Sequence, residues 1–250
     1  PDMADEVFEA VRGQLPQGEK ISWIRVPDRP AEVSRDMMER CLGAMSAFEA
    51  AATKVLVGHP EVADKLMLGV DLDPEHAELR ACYLMPHADG KPIERWSVRR
   101  PDMHVCGDRF VASENDEMPG GFTDCYHIDC SYDINRAPWA NAFTWLCDKG
   151  PLLFLVSSDW SRPYIKSMQW MAQQMQKMGF SAYCLTTDEI DKLRLTSDGV
   201  FLRVGSEADG REVKIGTIWR QFPVFETRGL LAALVVASNN CMVRMVPEFA

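Results

Sequence analysis

The sequence predicts an α/β protein in which a helical lead-in and a β-hairpin, residues 1–150, precede a parallel-sheet unit, residues 151–250. Three features predict it. Leu152-Leu153-Phe154-Leu155-Val156 is an unbroken apolar run of strand length, the pattern of a strand covered on both faces. A helix-period segment and a second apolar strand follow by residue 185, which makes a βαβ crossover with parallel strands and a right-handed connection. Upstream, two short strand-like segments flank Gly107-Asp108, a two-residue link that suits a tight hairpin.

The elements follow in order. Val33, Met37, Met38, Cys41, Leu42, Met45, Phe48, Ala52, Val55 and Leu56 recur at helical spacing, with Ser34 as N-cap and Gly58-His59-Pro60 as the stop. Shorter helices are predicted over residues 60–68 and from Pro74, then a loop over residues 86–92. Residues 102–106 and 109–114 read as the hairpin strands, closed by Pro119-Gly120-Gly121. Residues 133–148 carry Trp139, Phe143 and Trp145 at helical spacing, and Lys149-Gly150-Pro151 marks a boundary.

After the first apolar strand, Ser161-Arg162-Pro163 opens a helix. Its apolar face is Ile165, Met168, Met171, Ala172, Met175 and Met178, and Gly179 ends it. This methionine stripe reads as core, because thioethers fill irregular gaps well. A strand over 181–185, a short helix from Thr187-Asp188-Glu189, and paired strands over 199–204 and 211–214 come next. Residues 215–219 form another buried strand ending at Arg220-Gln221-Phe222-Pro223, followed by a helix over 226–236 and a strand over 242–246.

Composition narrows the function classes. The 250-residue chain is 46% hydrophobic, which fills a real core and makes disorder unexpected. A net charge of −10 without a Lys/Arg cluster argues against nucleic acid as a partner, since phosphate binding needs clustered cations that release counterions. The longest apolar runs, 152–156 and 230–237, fall far short of the roughly 20 residues that span a bilayer, and no basic-then-apolar leader opens the chain. A cytoplasmic protein with no membrane partner is expected. Eight cysteines are scattered through apolar stretches and read as reduced thiols. The chain opens on Pro1 and stops at Ala250 after a strand-like segment, which points to part of a longer chain.

The first chemical candidate is the cluster Glu114, Asn115, Asp116 and Glu117 at a strand end. Hard cations such as Mg²⁺ take carboxylate oxygens together with substrate phosphates, so the cluster suits such an ion; a solvated polar turn is the plain alternative. Arg100, before Pro101-Asp102 on the partner strand, is either half of a structural ion pair or a bidentate clamp on a carboxylate or phosphate. Arg220 closes a buried strand, where open α/β sheets bind ligands; the alternative is a surface arginine covering the sheet edge. Ser158, just past the first apolar strand, is counted with the substrate-binding residues. His104, Cys106, Cys125, His127 and Cys130 form a loose constellation without the paired spacing of structural zinc sites, so buried thiols are the default. A cysteine nucleophile served by His127 and Asp129 is conceivable, although catalytic partners are usually brought together by the fold. Neither a Gly-x-x-x-x-Gly-Lys loop nor a Gly-x-Gly-x-x-Gly turn is present.

In order and spacing, Arg100-Pro101-Asp102, Glu114-Asn115-Asp116 and Gly120-Gly121 resemble the Arg-x-Asp, Glu-x-Asn and Gly-rich stretches of eukaryotic-type glutathione synthetases and glutathionylspermidine synthetase-like ligases. Residues 152–222 follow the family's order of strand, helix, strand, hairpin and a strand ending in Arg and an aromatic. The resemblance implies a partial ATP-grasp-like first region and a Rossmann-like substrate domain. It also implies an ATP-dependent ligase that activates a carboxylate as an acyl phosphate for attack by an amine. Mg²⁺ and ATP would be its cofactor and co-substrate. Carried over, Glu114 and Asp116 (with Asp in place of the family's Asn) are the Mg²⁺ ligands, alongside Asn115. Arg100 and Arg220 become the catalytic clamps, because developing phosphate charge is stabilised by fixed cations. Arg100, Asp102, Ser158 and Arg220 would bind an amino-acid or peptide-like substrate. The family's ATP-contacting lysines, glycine-rich lid and second acidic motif are not found, so this chain is expected to be the N-terminal and acceptor-binding portion. A homodimer is left open. The rival expectation is a non-catalytic binding or scaffold protein that has the α/β crevice without the ATP module.

Overall fold

The computed structural model describes residues 34–59, 100–106, 109–116, 125–126, 129, 137–205, 210–223, 226 and 229–246. The helices predicted over 60–68 and from Pro74, the loop 86–92 and the Gly120-Gly121 turn lie outside them. The described part is mixed α/β, with a four-stranded parallel sheet, a three-stranded antiparallel sheet and a separate hairpin.

Helix α1 runs Arg35–Gly58 and begins where the sequence places it. Ser34 Oγ accepts from the Met37 amide at 3.1 Å, satisfying a donor that the first turn leaves orphaned. Arg35–Glu39 and Arg40–Asp36 ion pairs at 2.8 and 3.2 Å follow the i,i+4 spacing, and their exposure keeps each to a few tenths of a kcal/mol, about 0.3–0.5. Strands β1 (Arg100–Cys106) and β2 (Arg109–Asp116) pair antiparallel, with Cys106 opposite Arg109 across the two-residue link. The register shifts between Asp102, opposite Glu114, and Met103, opposite Ala112, so Ser113 is the extra residue of a bulge.

Helix α2 (Ala137–Leu146) leads to β3 (Leu152–Val156), whose five residues are all buried. A 3₁₀ turn, Arg162–Tyr164, carries Pro163 in its first turn and passes into α3 (Ile165–Lys177). Met168, Met171 and Met175 are fully buried, each removal from water contributing about 2 kcal/mol before entropy is counted. Met178 departs from the predicted stripe: it lies past the last helical residue and is 42% exposed. Gly179, at φ 90°, then closes the helix, with Gly179 N–H donating to Gln176 O and Phe180 N–H to Met175 O at 2.9 Å each.

Strand β4 (Ala182–Thr186) pairs parallel with β3, as the βαβ pattern predicts. A 3₁₀ segment, Thr187–Lys192, leads into the antiparallel strands β5 (Leu193–Thr196), β6 (Gly199–Val204) and β7 (Arg211–Ile215). Strand β5 is not predicted by the sequence, because Leu-Arg-Leu-Thr is too short for its alternation to stand out. Strand β8 is Thr217–Gln221, two residues later than predicted, because Gly216 separates it from Ile215 of β7. A Cβ at Gly216 would overlap the Lys149 carbonyl, so only glycine passes there. Helix α4 spans Leu230–Asn239, not 226–236, since Gly229 at φ 54° cannot be helical; β9 is Arg244–Val246.

The parallel sheet has the order β4-β3-β8-β9. Alternate residues feed two cores. Leu153, Leu155, Ile218 and Met245 pack with α4 and the antiparallel sheet. Leu152, Phe154, Val156 and Trp219 pack with α2 and α3. Side chains of period two on a strand make this division unavoidable once both faces are covered.

Candidate functional site

Strand order reverses beside β3: the chain leaves β3 toward β4 and returns to β8 on its other side. In open parallel sheets such a reversal splays the following loops apart and opens a crevice at the carboxyl ends of the strands. Three segments meet there, after β3, β4 and β8.

Ser157 is the hub. Its amide donates to Gln221 O at 2.8 Å, extending the β3–β8 ladder by one residue. Its hydroxyl donates to Glu226 Oε1 at 2.7 Å and accepts from the Asp159 and Trp160 amides at 3.2 and 2.9 Å. Ser157 is wholly buried, so these bonds replace all the water its hydroxyl has lost. Ser158 turns to the other side, its amide donating to Thr187 Oγ1 at 3.0 Å and its hydroxyl to Asp188 Oδ1 at 2.7 Å. Ser158 Oγ also receives the Asp188 amide at 3.0 Å. Because the single Ser158 proton is directed at Asp188, the Thr187 hydroxyl is the donor in the 3.0 Å contact between the two hydroxyls.

These bonds have electrostatic consequences. Hydrogen bonds from Thr186 and then Ser158 hold the Asp188 carboxyl below the usual carboxylate range. Glu189 is lowered chiefly by Lys192, with help from Thr186, whose hydroxyl donates to Glu189 Oε2 at 3.0 Å. A cavity of about 460 Å³ lies between the three segments, lined by Asp159, Trp160, Thr187, Ile190, Glu226 and Leu230. Trp160 is 67% exposed, an aromatic face at the cavity's edge.

Arg220 lies within β8, opposite Leu155 of β3, and is 2% exposed. That burial excludes a surface arginine covering the sheet edge. One Nη1 hydrogen bond, at 3.0 Å, goes to Phe222 O, just beyond the strand. Strand parity sets Arg220 on the same face as Ile218, toward the core that α4 covers.

The hairpin register brings the Arg100 backbone opposite Asp116, Pro101 opposite Asn115 and Asp102 opposite Glu114. The side chains of these six residues lie outside the described set. Of the cysteine and histidine constellation, His104, Cys106 and Cys125 are exposed, while His127 and Cys130 are outside the described residues. Asp129 accepts from the Trp139 indole at 2.6 Å.

Sequence reasoning selected Ser158 and Arg220 but passed over Ser157, Thr187 and Glu226. The available signal was Ser157-Ser158-Asp159 directly after an apolar strand, small polar residues where a parallel sheet opens. Comparison with known proteins finds no family model that matches the chain and no curated protein that matches it.

Proposed function

We propose that the chain is the substrate-binding portion of an ATP- and Mg²⁺-dependent ligase joining a carboxylate to an amine through an acyl phosphate. The observation that carries this reading is Arg220, a guanidinium withdrawn from water one residue before the carboxyl end of β8, beside the β3–β8 reversal. A fixed cation there suits the carboxylate of an amino-acid or peptide-like substrate, and buried guanidinium–carboxylate contacts are among the strongest polar ones. Ser157 and Ser158 tie the loop after β3 to the segments after β8 and β4, which fixes the crevice walls before a ligand arrives.

The hairpin supports the same reading through its donor set. Glu114, Asn115 and Asp116 offer hard oxygens of the type Mg²⁺ accepts, and the register sets Arg100 opposite Asp116. Bound Mg²⁺ and ATP would supply phosphoryl transfer to the substrate carboxylate. Arg100 and Asp102 would orient the substrate, and Arg220 would hold its charge.

The experiment has two arms. Calorimetry with a panel of amino acids and short peptides is expected to give binding to the unaltered protein, lost in Arg220→Met and weakened in Ser158→Ala. Ser158→Ala guards against a buried-arginine variant that fails to fold. The full-length protein, given Mg²⁺, ATP and a panel of amino acids, thiols and polyamines, is expected to release ADP; no release across the panel sinks the ligase reading. Binding of small acids without nucleotide turnover favours the rival, a non-catalytic small-molecule-binding or scaffold protein. The crevice network within residues 157–231 would serve that role equally well.

A further inference from the structure

We infer a second ligand site at the opposite, amino edge of the parallel sheet, built for a small phosphate-type polyanion. A cleft of about 700 Å³ opens there, between the segments that lead into β3, β8 and β9. Lys149, Lys214 and Arg244 line it, and among the described residues no Asp or Glu does. In a chain of net charge −10 this is a local reversal of sign, and a concave surface focuses such a field.

The three cations are not equivalent. Arg244 is already committed, with Asp148 at 2.9 Å and with the Trp145 and Leu146 carbonyls. Among the described residues neither Lys149 nor Lys214 makes an ion pair. The end of the Lys214 side chain passes over Gly199, where a Cβ would come within 2.8 Å of its Cε. Two lysines that no described carboxylate pairs therefore line one cleft.

The cleft's backbone is unusual in the same place. Gly150 has φ 124°, Gly216 cannot carry a Cβ, and Cys241 has φ 57°, the single non-glycine residue with positive φ among the described residues. Cys241 closes α4, its amide donating to Ser238 O and the Met242 amide to Ala237 O at 2.9 Å each, so its conformation belongs to the helix end that borders the cleft. Gly150 and Gly216 pack main chain against main chain, which holds the segment of Lys149 against the one that follows Lys214. Lysine ammonium groups act as point charges and bind phosphate in many geometries, which fits two lysines better than it fits a planar carboxylate clamp.

This site is independent of the ligase reading. The probe is inorganic pyrophosphate, titrated calorimetrically at fixed ionic strength, with citrate as the comparison anion. Pyrophosphate is expected to bind the unaltered protein. Lys149→Met with Lys214→Met, which keeps both stems and removes both charges, is expected to weaken it about tenfold, as the loss of two charge-assisted contacts. Ser158→Ala, at the other edge, is expected to leave it unchanged. A lysine double variant that folds, by circular dichroism, yet binds as before overturns the site. So does the absence of binding heat, or citrate binding as tightly as pyrophosphate.

Discussion

Replacing Arg244 is expected to loosen the whole amino edge of the parallel sheet. Its Nη2 donates to the Trp145 and Leu146 carbonyls at 2.5 and 3.0 Å and to Thr217 Oγ1 at 2.9 Å, and its Nε reaches the same hydroxyl at 3.2 Å. The guanidinium also lies 4.6 Å from the centroid of the Trp145 ring. It thus caps the end of α2 and ties it to β8 from a position on β9. Hydrogen bonds from a charged donor contribute about 1.5–3 kcal/mol each, but these share one side chain and do not add in full. The Asp148 pair contributes under about 1 kcal/mol, because that carboxylate is 43% exposed and screened. Arg244→Ala is therefore expected to cost about 3 kcal/mol. Arg244→Lys, which keeps the charge and loses the fork, should cost about half of that, and Asp148→Asn under about 1 kcal/mol. Urea unfolding followed by tryptophan fluorescence and circular dichroism reads these values. An Arg244→Ala change within about 0.5 kcal/mol of the unaltered protein, or an Asp148→Asn change as large as Arg244→Ala, would refute the reasoning.

Other substitutions probe separate features. Gly216→Ala drives a methyl group into the Lys149 carbonyl and should cost about 2–4 kcal/mol in the same unfolding assay, whereas Gly43→Ala, with open space around it on α1, should be neutral or slightly stabilising. Ser157→Ala strands the Asp159 and Trp160 amides and the Glu226 carboxylate, so a loss of about 2 kcal/mol is expected, together with faster hydrogen exchange in the loop after β3. Burial, with Glu189 adding to it, pushes the Cys184 thiol up to about 12. Iodoacetamide at mildly alkaline pH should therefore label exposed Cys106 and Cys125 well before Cys184, as read by peptide mass spectrometry. The sign of the linked stability follows from the raised value. The native state holds that proton more tightly, so the contribution is complete below pH 9.0 and is lost as pH rises toward about 12; Cys184→Ala should flatten that alkaline decline.

Much of the fold was legible wherever a local pattern and its tertiary use coincide. Leu152-Leu153-Phe154-Leu155-Val156 could only be a covered strand, and Ser34 and Gly179 are caps whose chemistry is local. Boundaries near residues 216 and 229 were not legible, because they depend on a close approach of distant backbone and on a glycine conformation that no periodicity records. At the crevice, Arg220 and Ser158 could be selected from their places beside apolar strands. Glu226 could not, since it is joined to Ser157 across 69 positions and reads alone as part of the following helix. Strand order was equally hidden: the sequence gives a βαβ unit but not the side of β3 on which β8 will lie.

The division of β3 between two cores sets how this protein can vary. Leu153 and Leu155 answer to α4 and the antiparallel sheet, Leu152, Phe154 and Val156 to α2 and α3, and the two sets share little beyond the strand's own backbone. Volume lost on one side can be recovered only by neighbours on that side. Compensating changes should therefore sort into two families that drift separately, and a shift of β3 by a single residue would scramble both at once.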